Sequence, residues 1–141
     1  LDELLFESDI VSVHIPLTKE TQNFIDKNFY SKMKKGSLFI TTARGSIHNE
    51  DDLETFLKNG HLSGAGLDVW EKEPPNSDHK LLKMQNVVAT PHMAGVTVDS
   101  RKKMSEFVAN QLLNILSGGV PERPVNKEIL SLFKSKLSKI I

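Results

Sequence analysis

The hydrophobic positions of this chain fall into short apolar runs separated by stretches with helical spacing. The runs in "DIVSVHIP", "SLFITTA", "LSGAGLDVW" and "NVVATPH" predict four strands, the first ending near His14. Two stretches between the first three runs, "NFIDKNFYSKMKKG" and "NEDDLETFLKNG", repeat apolar residues every three or four positions and predict helices. A long helix is predicted after the fourth strand, in "TVDSRKKMSEFVANQLLNILSGG". This alternation is typical of an α/β fold with a parallel sheet, in which apolar strands are covered by helices on both faces.

Helix-end signals refine these bounds. Asn49 is a candidate N-cap ahead of three acidic residues, and Gly36 and Gly60 follow the two predicted helices as stop residues. The opening "LDELLFESD" is amphipathic but has no capping residue ahead of it, so we expect the chain to be a fragment of a longer protein. The expected organisation is one domain over residues 1–118 and a proline-containing tail over 119–141 with a basic amphipathic end.

Composition narrows the function classes. The 141 residues suffice for one domain, and 18 basic and 18 acidic side chains balance, which argues against a nucleic-acid-binding surface. The sequence has no cysteine, which excludes disulfides and thiolate metal sites and fits a cytoplasmic protein. No apolar stretch approaches the roughly 18 residues of a membrane span. No two histidines share a metal-ligand spacing, so no metal site is expected.

The chemistry-bearing residues follow the predicted strands. In a parallel sheet the loops after all strands meet at one edge, so His14, Arg44, the loop after Asp68, and His92 are expected to line one crevice. Arg44 offers a planar fork for a carboxylate, and His92 can exchange a proton near neutral pH. Glu73 is placed to hold and charge the imidazole of His92. Taken singly, Arg44 fits an exposed residue that closes a strand, and Glu73 fits a solvated loop acid.

Together the three residues suit the reduction of a 2-keto acid. That reaction needs a cation to anchor the carboxylate, an acid to protonate the forming alkoxide, and a carboxylate to keep that acid protonated. No side chain can supply a hydride, so a nicotinamide dinucleotide is expected over the same edge.

Four segments carry a family resemblance. "DIVSVHIPLTKETQNFI", "KKGSLFITTARGS", "GHLSGAGLDVWEKEPP" and "NVVATPHMAGVT" resemble signature segments of the NAD(P)-dependent D-isomer-specific 2-hydroxyacid dehydrogenases, which include phosphoglycerate and glycerate dehydrogenases. The match runs from residue 8 to about 126 in the family's order. The resemblance implies that Arg44 binds the substrate's carboxylate and carbonyl, that His92 is the general acid/base, and that Glu73 pairs with it. The residues that it places against the cofactor are His14, Pro16, the backbone of Ala43, Arg44, Asp68 as acceptor for the carboxamide, His92, and Gly95 as a point of close approach to the nicotinamide.

The resemblance also implies what this chain lacks. No G-x-G-x-x-G occurs, and the glycines of "SGAGLD" precede a strand end, so they are not a phosphate-binding turn. The fold expected is therefore the second half of a doubly wound, Rossmann-like dinucleotide-binding domain. We expect the isolated chain to have no useful dehydrogenase activity and the full-length protein to be a homodimer. NAD and NADP, and the identity of the 2-hydroxy or 2-keto acid, stay open.

Two alternative functions remain. A formate dehydrogenase needs no acid/base, but that relative typically carries glutamine at the position of Glu73. A non-enzymatic NAD(H)-responsive binding protein, like the corepressors built on this fold, can keep the same three residues. His48 follows Arg44 closely enough to contact the site, but a surface position explains it at least as well. For the other residues we expect structural roles: His61 and His79 fall in polar turns, and Trp70 is expected to pack beneath the site.

Overall fold

The structure is a computed structural model that describes residues 1–137, apart from the side chain at position 134. It divides into two compact units, Leu1–Ala94 and Gly95–Ile141. The predicted division at residue 118 stays a prediction.

The first unit is built on a four-stranded parallel sheet in the order β1-β2-β3-β4. Its strands are β1 (Ile10–Val13), β2 (Leu38–Thr41), β3 (Gly64–Leu67) and β4 (Val87–Ala89). Neighbouring strands are in register from Ile10 beside Leu38 and from Leu38 beside Gly64. The predicted parallel sheet is confirmed, and all four strands end at the same edge.

Three helices of this unit are α1 (Asp2–Glu7), α2 (Lys27–Lys32) and α3 (Glu50–Lys58), with α2 packed between the other two. The prediction that α2 begins near Phe24 is wrong. Asp26 caps the helix by accepting hydrogen bonds from the backbone of Asn28 and Phe29, so Ile25 lies outside the helix, where its backbone pairs with His48. The predicted cap of α3 is confirmed, because Asn49 Oδ1 accepts from the third backbone N–H of the helix at 2.8 Å.

The core lies between the sheet and these helices. Burial alternates along β1 and β2, so within residues 1–94 the helices cover one face of the sheet rather than the two expected from the apolar runs. The largest buried side chains include Tyr30 and Phe39, whose rings meet edge to face at 5.3 Å. Trp70, three residues after the end of β3, is buried, as expected for a packing residue.

The second unit contains α4 (Val98–Leu116) and α5 (Leu130–Leu137). Thr97 and Ser100 form a capping box at the start of α4, and Arg123 lies over the ring of Phe107 at 5.3 Å. The predicted basic end of the tail extends into residues 138–141, which lie outside the described residues. Within the described part of the chain, no helix has the length and apolar character needed to cross a membrane.

Candidate active site at the carboxyl edge of the sheet

All but one of the predicted site residues lie in the first unit, on loops that follow β1, β2, β3 and β4. The structure joins Glu73, His92 and Asp68 in one hydrogen-bond network. It places His14, Pro16, Ala43 and Arg44 around one cleft. Gly95 begins the second unit, where its carbonyl accepts a hydrogen bond from Ser100, and its predicted approach to a nicotinamide stays a prediction.

The centre of the network is an imidazole–carboxylate pair. His92 Nδ1–H donates to Glu73 Oε2 at 2.8 Å, and the backbone N–H of Trp70 donates to Glu73 Oε1 at 3.1 Å. These two hydrogen bonds, with a smaller contribution from the positive charge of Arg44, hold the pKa of Glu73 below its ordinary value. Because Nδ1 is engaged by an ionised carboxylate, Nε2 is the ring atom of His92 that can face a substrate.

His92 is presented on an unusual backbone. Its φ is +53°, in the left-handed region, which costs a non-glycine residue about 1–3 kcal/mol and persists only where the surroundings enforce it. Asp68 provides that enforcement. Its carbonyl accepts from His92 N–H at 2.8 Å, and its carboxylate accepts from the N–H groups of Met93 and Ala94, each at 2.8 Å. The loop that carries His92 is therefore wrapped around a single aspartate.

Asp68 itself is buried, with 4 % of its surface exposed. Burial acts to raise the pKa of this carboxyl group, but hydrogen bonds from the Thr90 hydroxyl at 2.5 Å and from the Ala94 and Met93 amides outweigh it and lower the pKa. Asp68 thus stays ionised as the anchor of the loop. Its predicted contact with a cofactor carboxamide stays a prediction. Thr90 was not found by sequence reasoning, since a threonine at a strand end carries no distinct signal.

The cleft beside the network has a volume of about 470 Å³ and is lined by the loops that follow β1 and β2. His14 is held between two hydroxyl groups, with Nε2 2.8 Å from Ser12 Oγ and Nδ1 3.2 Å from Thr42 Oγ1. Arg44 Nη1 donates to the carbonyl of Ala43 at 2.6 Å. The cleft therefore combines apolar walls with imidazole and guanidinium groups. The lining residues are His14, Ile15, Pro16, Leu17, Thr42, Ala43 and Arg44.

Gly45, in the loop after β2, packs closely against the loop after β3. A Cβ atom at this position would overlap the backbone of Trp70 and Glu71, so no side chain fits there. Because Gly45 directly follows Arg44, this close approach fixes the guanidinium-bearing loop against the loop that carries Glu73.

The remaining three histidines are each buried or held by a hydrogen bond. His48 is 1 % exposed, so the expectation of a surface position is wrong; its backbone pairs with Ile25 and its ring lies 5.9 Å from that of Phe39. His61 Nε2 contacts the carbonyl of Met33 at 2.9 Å. His79 Nε2–H donates to the carboxylate of Glu50 at 3.1 Å. Among residues 1–137, no group of three or more histidine, aspartate or glutamate side chains is arranged to hold a metal ion.

Comparisons with known proteins show the family to which this chain belongs. Residues 1–94 match the family model "D-isomer specific 2-hydroxyacid dehydrogenase, NAD binding domain". The chain is 45 % identical over 141 residues to a glyoxylate reductase of Thermofilum pendens, covering 100 % of this chain and 42 % of that protein. The chain thus spans about two fifths of the length of that curated relative.

Two solved structures are also similar. The D-isomer specific 2-hydroxyacid dehydrogenase from Lactobacillus delbrueckii ssp. bulgaricus, in its NAD-complexed form, is 36 % identical with a TM-score of 0.82, covering 89 % of this chain and 42 % of that one. The enzyme of the same description from Xanthobacter autotrophicus Py2, in complex with NADPH and MES, is 32 % identical with a TM-score of 0.76, covering 89 % and 51 %. The resemblance found in the sequence is confirmed, and the chain belongs to the D-isomer specific 2-hydroxyacid dehydrogenase family, matching its NAD-binding domain over residues 1–94.

Proposed function

We propose that this chain supplies the acid–base and carboxylate-binding groups of an NAD(P)-dependent dehydrogenase that interconverts a small D-2-hydroxy acid and its 2-keto acid. The observation that carries the proposal is the His92–Glu73 pair at the carboxyl edge of the sheet, with Arg44 close enough to lower the pKa of Glu73. A cation, a proton donor and an ionised carboxylate are the groups that this reaction requires of a protein.

The side chains divide the work as follows. Arg44 grips the substrate carboxylate in two parallel hydrogen bonds, which orients the neighbouring carbonyl group toward His92. The protonated imidazole donates its Nε2 proton to the carbonyl oxygen as that oxygen gains negative charge. Glu73 stabilises the imidazolium before transfer and holds the ring at Nδ1 throughout. In the oxidation direction, Nε2 takes the hydroxyl proton back.

The cleft fits a nicotinamide cofactor. Its volume of about 470 Å³ lies within the usual range for small-molecule sites, and its walls pair apolar side chains with the polar groups of His14 and Thr42. When bound, the nicotinamide accepts or supplies the hydride. Pro16, Ala43 and His14 would lie along it, Arg44, Asp68 and His92 near its reactive end, and Gly95 beside the ring. Either NAD or NADP is compatible with these residues.

The complete protein in which this chain occurs provides the test, since the relatives extend well beyond the aligned part. NADH and NADPH oxidation is measured with glyoxylate, hydroxypyruvate, pyruvate and phosphohydroxypyruvate. We expect at least one acid to be reduced. Binding of NADH without turnover of any acid would overturn the proposal. A partner protein captured only when NADH is present would then identify a corepressor-like binding protein.

The finer partner assignments belong to the same proposal. We propose that the complete protein is a cytoplasmic homodimer that acts on small acids and binds neither nucleic acid nor membrane. The dimer is tested by sedimentation equilibrium of the complete protein, where a monomer at micromolar concentration would contradict it.

A further inference from the structure

The loop that carries Glu73 has little support of its own. Four consecutive residues of this loop are exposed: Glu71, Lys72, Glu73 and Pro74. The Glu73 side chain is 37 % exposed. A general acid works efficiently only when its partners are held within a fraction of an ångström, since a misplacement of about 1 Å can cost a factor of 10². Something outside the loop must therefore fix the position of the Glu73 carboxylate.

Glu50, the first residue of α3, contacts both ends of this loop. Its Oε1 accepts from the backbone N–H of Glu71 at 2.7 Å, and its Oε2 accepts from Nε2–H of His79 at 3.1 Å. The seven residues between these two points include Glu73. The Glu50 carboxylate thus contacts the loop on both sides of Glu73, the partner of His92.

Glu50 is itself rigidly placed. Only 10 % of its side chain is exposed, and α3 is anchored by the fully buried Leu53 and by Leu57 at 4 % exposure. The helix does not use Glu50 as its cap, because the side chain of Asn49 performs that role. The Glu50 carboxylate is therefore available to the loop.

His79, the second residue that Glu50 contacts, is linked to the site through Trp70. The ring of His79 packs edge to face on Trp70 at 5.5 Å, and Trp70 donates its backbone N–H to Glu73 and its indole N–H to the carbonyl of Thr90 at 3.3 Å. Both contacts of Glu50 therefore lead to Trp70, which donates to Glu73: Glu71 is the chain neighbour of Trp70, and His79 packs on the Trp70 ring.

We infer that Glu50 is a positioning residue for the acid–base pair: it holds the loop at Glu71 and His79 so that the Glu73 carboxylate stays against His92. This inference rests on the proposed dehydrogenase function for its effect on turnover, although the positioning itself is a structural property.

The first test is a double-mutant cycle in the complete protein. Glu50→Ala is expected to lower kcat for 2-keto acid reduction by about 10- to 100-fold with little change in the KM for NADH. On a Glu73→Gln background the same substitution is expected to cost less than about twofold, because Glu50 acts through Glu73. Equal losses in both backgrounds, or no loss in the wild type, would overturn the inference.

The second test does not depend on turnover. The amide of Trp70 donates to the Glu73 carboxylate, so its hydrogen exchange reports whether that carboxylate is in place. Glu50→Ala is expected to speed exchange at Trp70 by about tenfold or more, while the amide of Phe39 in β2 is unchanged. Exchange at Trp70 at the wild-type rate would overturn the inference, even if the complete protein reduces no acid and the proposed function fails.

Asp51→Ala is the matched control, since Asp51 lies in the same helical turn with 89 % of its side chain exposed, and its carboxylate pairs with Lys80 at 3.6 Å rather than with Glu71 or His79. It is expected to match the wild type in both tests. Where Glu50→Ala does not fold, Glu50→Asp keeps the charge in the first turn of α3 but shortens the side chain by one methylene group. The same two results are expected of it.

Discussion

The burial of His48 makes the stability of this chain depend on pH in a way that one substitution should remove. His48 is 1 % exposed, and neither of its ring nitrogens has a hydrogen-bond partner among the described residues. Burial lowers the pKa of His48 from 6.5 to about 4, because the low-dielectric core disfavours the charged imidazolium. The folded state therefore keeps the ring neutral at pH values where the unfolded chain protonates it.

The size of the effect follows from linkage. Above pH 6.5 both states hold His48 neutral, and it makes no pH-dependent contribution. As the pH falls through 6.5, the unfolded state gains a proton that the folded state cannot accept, so stability declines until about pH 4. With those two pKa values the loss is about 2 kcal/mol at pH 5.0 and about 3 kcal/mol below pH 4.

The assay compares His48→Val with the wild-type chain by urea unfolding at pH 7.5 and pH 5.0. The substitution changes packing equally at both pH values. Its effect on packing therefore cancels when the difference in unfolding free energy between variant and wild type at pH 7.5 is subtracted from the same difference at pH 5.0. We expect the variant to gain about 2 kcal/mol relative to the wild type between pH 7.5 and pH 5.0. The same pH dependence in both proteins would refute the reasoning and would mean that the ring is protonated within the fold.

Three further substitutions test the loops and helix that build the site. Gly45→Ala introduces a methyl group where the backbone of Trp70 leaves no space, so we expect a loss of about 3 kcal/mol or more in unfolding free energy, or a failure to fold; wild-type stability would contradict the close approach. Thr90→Val removes the hydroxyl donor to the buried Asp68, and we expect a loss of about 1–3 kcal/mol together with reduced turnover in the complete protein, measured by urea unfolding and initial rates; an unchanged midpoint would argue against this hydrogen bond. Asn49→Ala removes the cap of α3 and is expected to cost about 1 kcal/mol, which a thermal melt would detect, whereas Asn49→Ser should recover most of it.

Much of the sheet could be predicted from the sequence because its signals are local. The apolar runs ending at Val13 and Thr41 mark strands. Asn49 predicts a helix start because acidic residues and then apolar residues at helical spacing follow it. The start of α2 was misplaced because Ile25 continues the apolar spacing of the helix but pairs with His48 instead. That pairing is a long-range contact, which periodicity does not encode.

In the site, too, local signals were predictable and long-range contacts were not. The βα order of the elements was enough to bring Arg44, Glu73 and His92 to one edge of the sheet, because parallel strands share their carboxyl ends. The groups that hold them there could not be read from spacing. Asp68 was predicted only as a cofactor contact, and Glu50 only as one of three acidic residues after Asn49. Spacing alone does not reveal that residues 92–94 donate to Asp68, or that Glu71 and His79 donate to Glu50.

The central claim is that His92 is the proton donor of a dehydrogenase site, and replacing it tests that claim most directly. The measurement is kcat/KM for the best 2-keto acid in the complete protein, for wild type, His92→Ala and the control His61→Ala, whose imidazole contacts the carbonyl of Met33 instead. We predict that His92→Ala lowers kcat/KM by a factor of about 10² to 10⁴ and preserves NADH affinity, and that His61→Ala stays close to wild type. A loss below about tenfold in His92→Ala, or an equal loss in both variants, would contradict it.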